Sequence, residues 1–216
     1  MMNYFNLIFS NNSLLRIFQN QEFNKFKLKG LCLEFGANHK IDRNFLKKNS
    51  KKYKAIFSNI EKKDKSFLFL DLEKKTSHKK KYDNIVIFNV LEHIFDIKTP
   101  LDNIYSLLKK NGKIIGSTPF LYRIHGAPND YNRYSKEYLK EALKQKKFKN
   151  IDIKEIGLGP FLASFSLLRG YLKYIPLLYQ FLLIFFIIID KLLFLLMKND
   201  PKLIYPIGYI FSAVKK

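Results

Sequence analysis

Two stretches of the chain concentrate residues able to do chemistry. The first is Asn89-Val90-Leu91-Glu92-His93, which follows the unbroken apolar run Ile85-Val86-Ile87-Phe88. The second runs from Phe120 to Tyr134 and contains His125-Gly126-Ala127-Pro128-Asn129-Asp130-Tyr131-Asn132-Arg133. Imidazole titrates near neutrality, so His93 and His125 are the candidate catalytic bases. His125, Asp130, Tyr131 and Arg133, in a loop shaped by Gly and Pro, suit substrate binding. Each has a plainer alternative. Asp130 and Arg133 can simply pair with each other, and His93 can be a hydrogen-bonded structural histidine at a helix start. The His, Asp and Glu residues are not spaced as a metal site, no P-loop or Ser-His-Asp framework stands out, and no metal is expected.

The elements that must position these residues follow from the apolar pattern. A run that is apolar on both faces belongs in the middle of a parallel sheet covered by helices. Thr99-Pro100 offers a helix start, with Thr as N-cap and Pro in the first turn. Leu101, Ile104, Tyr105 and Leu108 then share one helical face, and Gly112 supplies the expected stop. Lys113 to Thr118 reads as the next strand, closed by Pro119. This strand–helix–strand unit puts Asn89, Glu92 and His93 just past the carboxyl end of a central strand, where open α/β sheets bind ligands.

The segment "YDNIVIFNVLEHI…LDNIYSLLKKNGKIIGSTP" resembles the fourth- to fifth-strand region of class I S-adenosylmethionine-dependent methyltransferases, and the likeness extends over most of residues 30–156. Upstream, Leu31-Cys32-Leu33-Glu34-Phe35-Gly36-Ala37-Asn38-His39 is similar to that family's first motif, a strand and a glycine-rich turn. The resemblance implies a Rossmann-like seven-stranded sheet with helices on both faces and S-adenosylmethionine as cofactor. It assigns Glu34, Gly36, Ala37, Asn38, Asn59, Asp71, Asn89 and Val90 to cofactor binding, with Asp71 meeting the adenine amino group. Glu34 also fits a hydrogen-bonded acid at a strand end, Asp71 a cap or turn residue, and His39 a solvated loop. Two departures stand out: Ala37, Asn38 and His39 replace customary glycines, and Ser58-Asn59 replaces the acid that grips the ribose hydroxyls. The loop after Pro119 resembles the "His-Gly-x-Pro-x-Asp-Tyr-x-Arg-Tyr/Phe" segment of a subgroup associated with glycan and cell-surface biosynthesis. That likeness places His125, Asp130, Tyr131 and Arg133 in the acceptor pocket.

The expected organisation is an N-terminal helical arm over residues 1–29, a methyltransferase domain over 30–156 plus 203–216, and an apolar helical insertion over 157–202. Ser135 caps a helix to about Lys147, residues 150–156 form the sixth strand, and 206–214 the seventh. Within the insertion, Asp190-Lys191 interrupts an apolar run shorter than the roughly 20 residues of a transmembrane helix. The pattern instead predicts a helical hairpin at the membrane interface through 161–197, with lysines attracted to anionic lipid. A buried helix pair or a dimer interface is the alternative, and the oligomeric state stays open.

A formal net charge of +21 over 216 residues fits an anionic partner, yet the joint richness in Lys, Asn, Ile, Phe and Tyr is also what an AT-rich coding sequence produces. Scarcity of Arg argues against specific nucleic-acid readout. Cys32, the single cysteine, excludes an internal disulfide and sits in an apolar strand pattern as an inert thiol. No secretory signal is evident. The sequence therefore predicts a cytoplasmic methyltransferase, peripheral on the inner face of the membrane. Its acceptor would be a small molecule, a lipid-linked glycan or another amphiphile. A non-catalytic binding protein on a degenerate methyltransferase fold, and a basic RNA-binding methyltransferase, are the competing functions.

Overall fold

The computed structural model describes residues 12–40, 43–60, 66–126 and 129–216. The apolar run centred on Ile85–Phe88 forms β4 (Tyr82–Phe88), in which every residue but Asp83 is buried. It lies between β1 (Gly30–Phe35) and β5 (Leu108–Pro119), parallel to both. β1 pairs in parallel with β2 (Tyr53–Asn59), which pairs in parallel with the short β3 (Leu68–Phe69). β6 (Phe148–Ile156) and β7 (Gly208–Lys215) complete a seven-stranded sheet of order β3-β2-β1-β4-β5-β7-β6. Burial on both faces of β4 is what its continuous apolar sequence requires.

The helices are α1 (Leu14–Phe23), α2 (Lys98–Leu107), α3 (Lys136–Gln145), α4 (Pro160–Leu172) and α5 (Pro176–Leu196). Ser13 caps α1 through Arg16 N and Ser135 caps α3 through Tyr138 N, each bond 3.2 Å. Within the expected N-terminal arm, residues 1–11 lie outside the described residues.

Two stretches depart from expectation: the helix after β4, at both of its ends, and the apolar insertion. α2 ends at Leu107, and Leu108 is already extended and paired with Tyr82. Residues 109–112 bulge before the ladder resumes at Asn84–Lys113, so Gly112 is a bulge residue, not a helix stop. An added Cβ there would meet Lys109 O at 2.9 Å and Tyr82 O at 3.1 Å. Nor does Thr99 cap α2: Ile97 stands at the N-cap, and Asp96 Oδ1 accepts from Lys98 N at 2.9 Å. The second correction concerns the apolar insertion. Asp190-Lys191 does not break it, and α5 runs unbroken for 21 residues. Asp190 is buried and accepts from Phe161 N (3.1 Å) and Leu162 N (2.8 Å), capping the first turn of α4. The Asp190 charge is thereby withdrawn from the helix exterior, whereas Lys191 stays exposed.

The described residues fall into two compact units. One comprises residues as far as Lys25, Pro119–Ile124 and Lys154–Tyr209, and contains α1, α4 and α5. Within it α4 and α5 form a hairpin, with Phe161 and Phe165 against Phe186, and Phe165 against Tyr179. The other comprises Phe26–Thr118, His125–Ile153 and Ile210–Lys216, and contains β1 to β4, the Asn89–His93 stretch and the loop from His125 onward.

Candidate active site

Four neighbouring parallel strands end along one edge of the second unit. In lateral order they deliver Asp71 (after β3), Asn59 (β2), Gly36 (after β1) and Asn89 (after β4). At the centre, Gly36 has φ +67°, and an added Cβ would lie 2.5 Å from Val90 Cγ2. Glycine is therefore required twice, by conformation and by the approach of the β4 loop. Ala37 N donates to Ser58 O (3.0 Å), and Asn59 Nδ2 donates to Ala37 O (2.8 Å), fastening this turn to β2. Asn38 holds the loop without the customary glycines. Its N–H donates to Asn44 Oδ1 (2.6 Å), its Oδ1 accepts from Lys40 N (2.9 Å), and its carbonyl accepts from Asn44 Nδ2 (3.1 Å).

Glu34 is buried, and its carboxylate accepts from Phe45 N (2.9 Å) and Leu46 N (2.7 Å). It takes the place of the hydrogen-bonded acid at the strand end, and binds the segment after the Gly36 loop to β1. Asp71 accepts from Glu73 N (3.0 Å) in an Asx turn and pairs with Lys74 at 3.2 Å. Asn89 stands at φ 54°, a left-handed corner that Asn tolerates, and its N–H crosses to Ser117 O at 2.9 Å. β4 thus turns sharply into the short 3-10 turn Leu91–His93.

The loop after β5 folds back over that turn. Tyr131 N and Asn132 N donate to Glu92 O (2.8 and 3.2 Å), and Asn132 Nδ2 donates to Ile94 O (2.9 Å). The Tyr134 hydroxyl donates to Leu91 O (3.2 Å), and burial pushes its ionisation well above the usual phenol range. Asp130 accepts from Arg133 Nη2 (2.6 Å) and from His125 N (2.8 Å). The Arg133 hydrogen bond, followed by that from the His125 N–H, holds the Asp130 carboxyl well below the usual carboxylate range. The Asp130–Arg133 pair therefore exists, and it builds the loop carrying His125. Tyr131 is exposed, with its ring edge-on to Phe95. Ala127 and Pro128 of the same loop lie outside the described residues.

His93 and His125 are brought together, with ring centroids 5.0 Å apart. Between them lies Glu92, fully buried, with neither carboxylate oxygen hydrogen-bonded to any described residue. Sequence reasoning placed Glu92 in the motif but gave it no role. The available signal was an acid set among Val90, Leu91 and Ile94, where an uncompensated charge is costly.

A family model described as a methyltransferase domain matches residues 11–153. Among solved structures, an S-adenosylmethionine-dependent methyltransferase from Archaeoglobus fulgidus superposes with TM-score 0.60 at 17% identity, covering 94% of this chain and 93% of that one. A Thermotoga maritima S-adenosylmethionine-dependent methyltransferase, described as a possible histamine N-methyltransferase, gives 0.58 at 12% identity, covering 94% and 90%. Haemonchus contortus phosphoethanolamine N-methyltransferase 2, in complex with S-adenosylmethionine, gives 0.55 at 15% identity. It covers 97% of this chain, which spans only 55% of the Haemonchus enzyme. No curated protein matches in sequence.

Proposed function

This chain belongs to the family of methyltransferase domains, and we propose that it transfers a methyl group from S-adenosylmethionine to a hydroxyl or similar group of a glycan, a lipid-linked saccharide or another amphiphile at the inner face of the cytoplasmic membrane. The observation that carries the donor assignment is the shared strand edge bearing Asp71, Asn59, Gly36 and Asn89. The residues fit the donor with one departure. Gly36 keeps the first turn bare of side chain, Asp71 offers a carboxylate to the adenine amino group, and Asn89 and Val90 close the β4 side. At the ribose position the fit is poorer, because Asn59 supplies an amide whose Nδ2 is already committed to Ala37 O.

When bound, S-adenosylmethionine supplies a methyl carbon on a sulfonium: as the acceptor oxygen bonds to that carbon, the C–S pair stays on sulfur and the hydroxyl proton is released. What remains for the protein is chiefly positioning. Glu34 and the Asn38–Asn44 pair fix the turn under the donor. His125, Asp130, Tyr131 and Arg133 would shape the acceptor side, and His93 and His125, whose rings lie 5.0 Å apart, would supply the proton acceptor.

The amphiphilic acceptor and the membrane location rest on the first unit. α5 presents Leu177, Phe181 and Leu195 at 84%, 63% and 76% exposure. A cleft of about 640 Å³ has apolar walls at Phe18, Ile156, Leu158 and Phe194. Titration of the full-length protein with S-adenosylmethionine by calorimetry tests the central claim. Binding in the micromolar range is expected, weakened about tenfold or more by Asp71→Ala, the loss of one charge-assisted bond. Absence of heat at millimolar ligand would sink it. The second reading, a non-catalytic binding protein on this fold, is favoured by the missing ribose acid at Asn59, and donor-independent biological activity of Asp71→Ala would support it.

A further inference from the structure

We infer that Glu92, His93 and His125 form a binding site for one divalent first-row transition cation, of which Zn2+ is the type case. The inference deepens the methyl-transfer reading and rests on it only for the cation's role, not for its binding. Glu92 Oε1 lies 3.9 Å from His93 Nε2 and 3.7 Å from His125 Nε2, and one ligand atom from each residue falls within 4.8 Å of the others. Tetrahedral zinc with bonds of about 2.0–2.1 Å separates its ligands by roughly 3.4 Å, so each Glu92–histidine pair would close by a few tenths of an ångström and the two imidazoles, within 4.8 Å, by up to about 1.4 Å through side-chain rotation.

The hydrogen bonding around the two rings says which nitrogens face the centre. His93 Nδ1 lies 2.6 Å from Asn129 O, and a carbonyl only accepts, so the proton is on Nδ1. His125 Nδ1 lies 3.3 Å from Asp130 Oδ2, an oxygen that also accepts from Arg133 Nη2 and so receives the Nδ1 proton. In their neutral forms both rings therefore turn an Nε2 lone pair toward a carboxylate that has no donor among the described residues. In that form three electron-pair donors face one centre, at separations too long for hydrogen bonds had the rings been protonated there. A cation would satisfy the Glu92 carboxylate, and a buried polar group without a hydrogen-bond partner among the described residues calls for such an explanation. Asn129 and Asp130 then act as the outer partners that fix tautomer and ring orientation, an arrangement typical of histidine metal ligands.

Two imidazoles and one carboxylate suit a zinc-like ion and leave further positions open. Glu92 is fully buried, whereas His93 and His125 are 14% and 28% exposed, so the open side is reachable. The set follows Asn89 on the strand edge assigned to the donor. A hydroxyl bound at the open position would lose its proton to solvent more readily, as metal-bound water does. The imidazoles would then serve as ligands, and the cation, as a Lewis acid, would make a dedicated protein base unnecessary, solvent taking the proton.

The test uses full-length protein dialysed against EDTA, titrated with ZnCl2 by calorimetry and with CoCl2 by visible absorption. One equivalent with micromolar or tighter affinity is expected, with ligand-field bands for cobalt. Glu92→Gln and His125→Asn should each weaken binding at least 100-fold and abolish the bands. Asp130→Asn should cost about 10–100-fold, and His78→Asn should leave uptake unchanged. Circular dichroism checks that each variant is folded, and the wild-type stoichiometry and spectrum stand without any variant. No uptake at millimolar cation, or uptake that survives both ligand substitutions, overturns the site. S-adenosylmethionine titrated into the metal-free protein reports separately. Donor binding without metal uptake sinks this inference alone, whereas metal uptake without donor binding supports the site and removes the methyl-transfer reading.

Discussion

Single side chains carry two sharp consequences. At Gly36 an alanine must adopt φ +67° and place its Cβ 2.5 Å from Val90 Cγ2. Either the turn flattens or the β4 loop retreats, and both disturb the floor of the proposed donor site. Gly36→Ala should therefore destabilise the protein by about 1–3 kcal/mol and weaken S-adenosylmethionine binding about tenfold or more, read by thermal unfolding and calorimetry. Unchanged binding would remove this turn from the site. Cys32 is the converse case, a residue built to do nothing. It is fully buried in β1, and burial pushes its thiol up to about 11 despite a hydrogen bond from Asn84 Nδ2 at 3.4 Å. An aromatic disulfide reagent at pH 8 should find no reactive thiol in the folded protein and one equivalent after guanidinium. Rapid labelling of the native state would contradict the inert assignment.

At the scale of elements, the seam between β1, β4 and β5 is tied by Asp83, which accepts from Leu31 N (2.7 Å) and pairs with Lys109 (2.9 Å). The Leu31 bond first, then Lys109, depress its carboxyl. A depressed acid contributes stability above its unfolded pKa of about 3.9, and that contribution is lost as pH falls through the folded value. The urea midpoint of wild type should thus exceed that of Asp83→Asn at pH 7 and converge on it toward pH 3. A gap independent of pH would show that the tie is not electrostatic. β1, β4 and the place of Asn89 just past the end of β4 were legible in the sequence because local apolar runs specify them, whereas its left-handed corner was not expected. The start of β5 was not: Leu108 continues the helical spacing of Leu101 and Ile104, and only its pairing with Tyr82 draws it into the sheet. Likewise Asp71 and Gly36 could be placed on an edge by motif alone. The meeting of Glu92 with His125 could not, because α2 and β5 separate them in sequence and the loop returns through contacts made by Asp130 and Tyr131.

For the whole molecule the question is whether charge or apolar surface governs its location. Only five of 39 basic residues are Arg, and a net charge of +21 carried by lysine fits a diffuse anionic surface better than base readout. Among the described residues α5 is the one helix long and apolar enough to cross a membrane, and its outward side chains include Leu177, Phe181, Ile188 and Leu195. Burying four such residues in lipid gives about 6 kcal/mol even at 1.5 kcal/mol each, whereas each lysine near an anionic surface adds about 1 kcal/mol and is screened by salt. The two contributions make different predictions in a flotation assay with phosphatidylglycerol-containing vesicles. If α5 dominates, the protein floats at 0.15 M and at 0.5 M NaCl, and Phe181→Glu with Leu195→Glu abolishes flotation at the higher salt without altering donor binding. If charge alone attracts the protein, flotation disappears at 0.5 M and the double substitution has no further effect, which contradicts the apolar docking reading. If α5 instead pairs with a second copy, wild type sediments as a dimer, the double substitution gives a monomer, and neither floats. Because α5 and the donor-site residues belong to different compact units, the double variant should separate membrane attachment from cofactor affinity in one preparation.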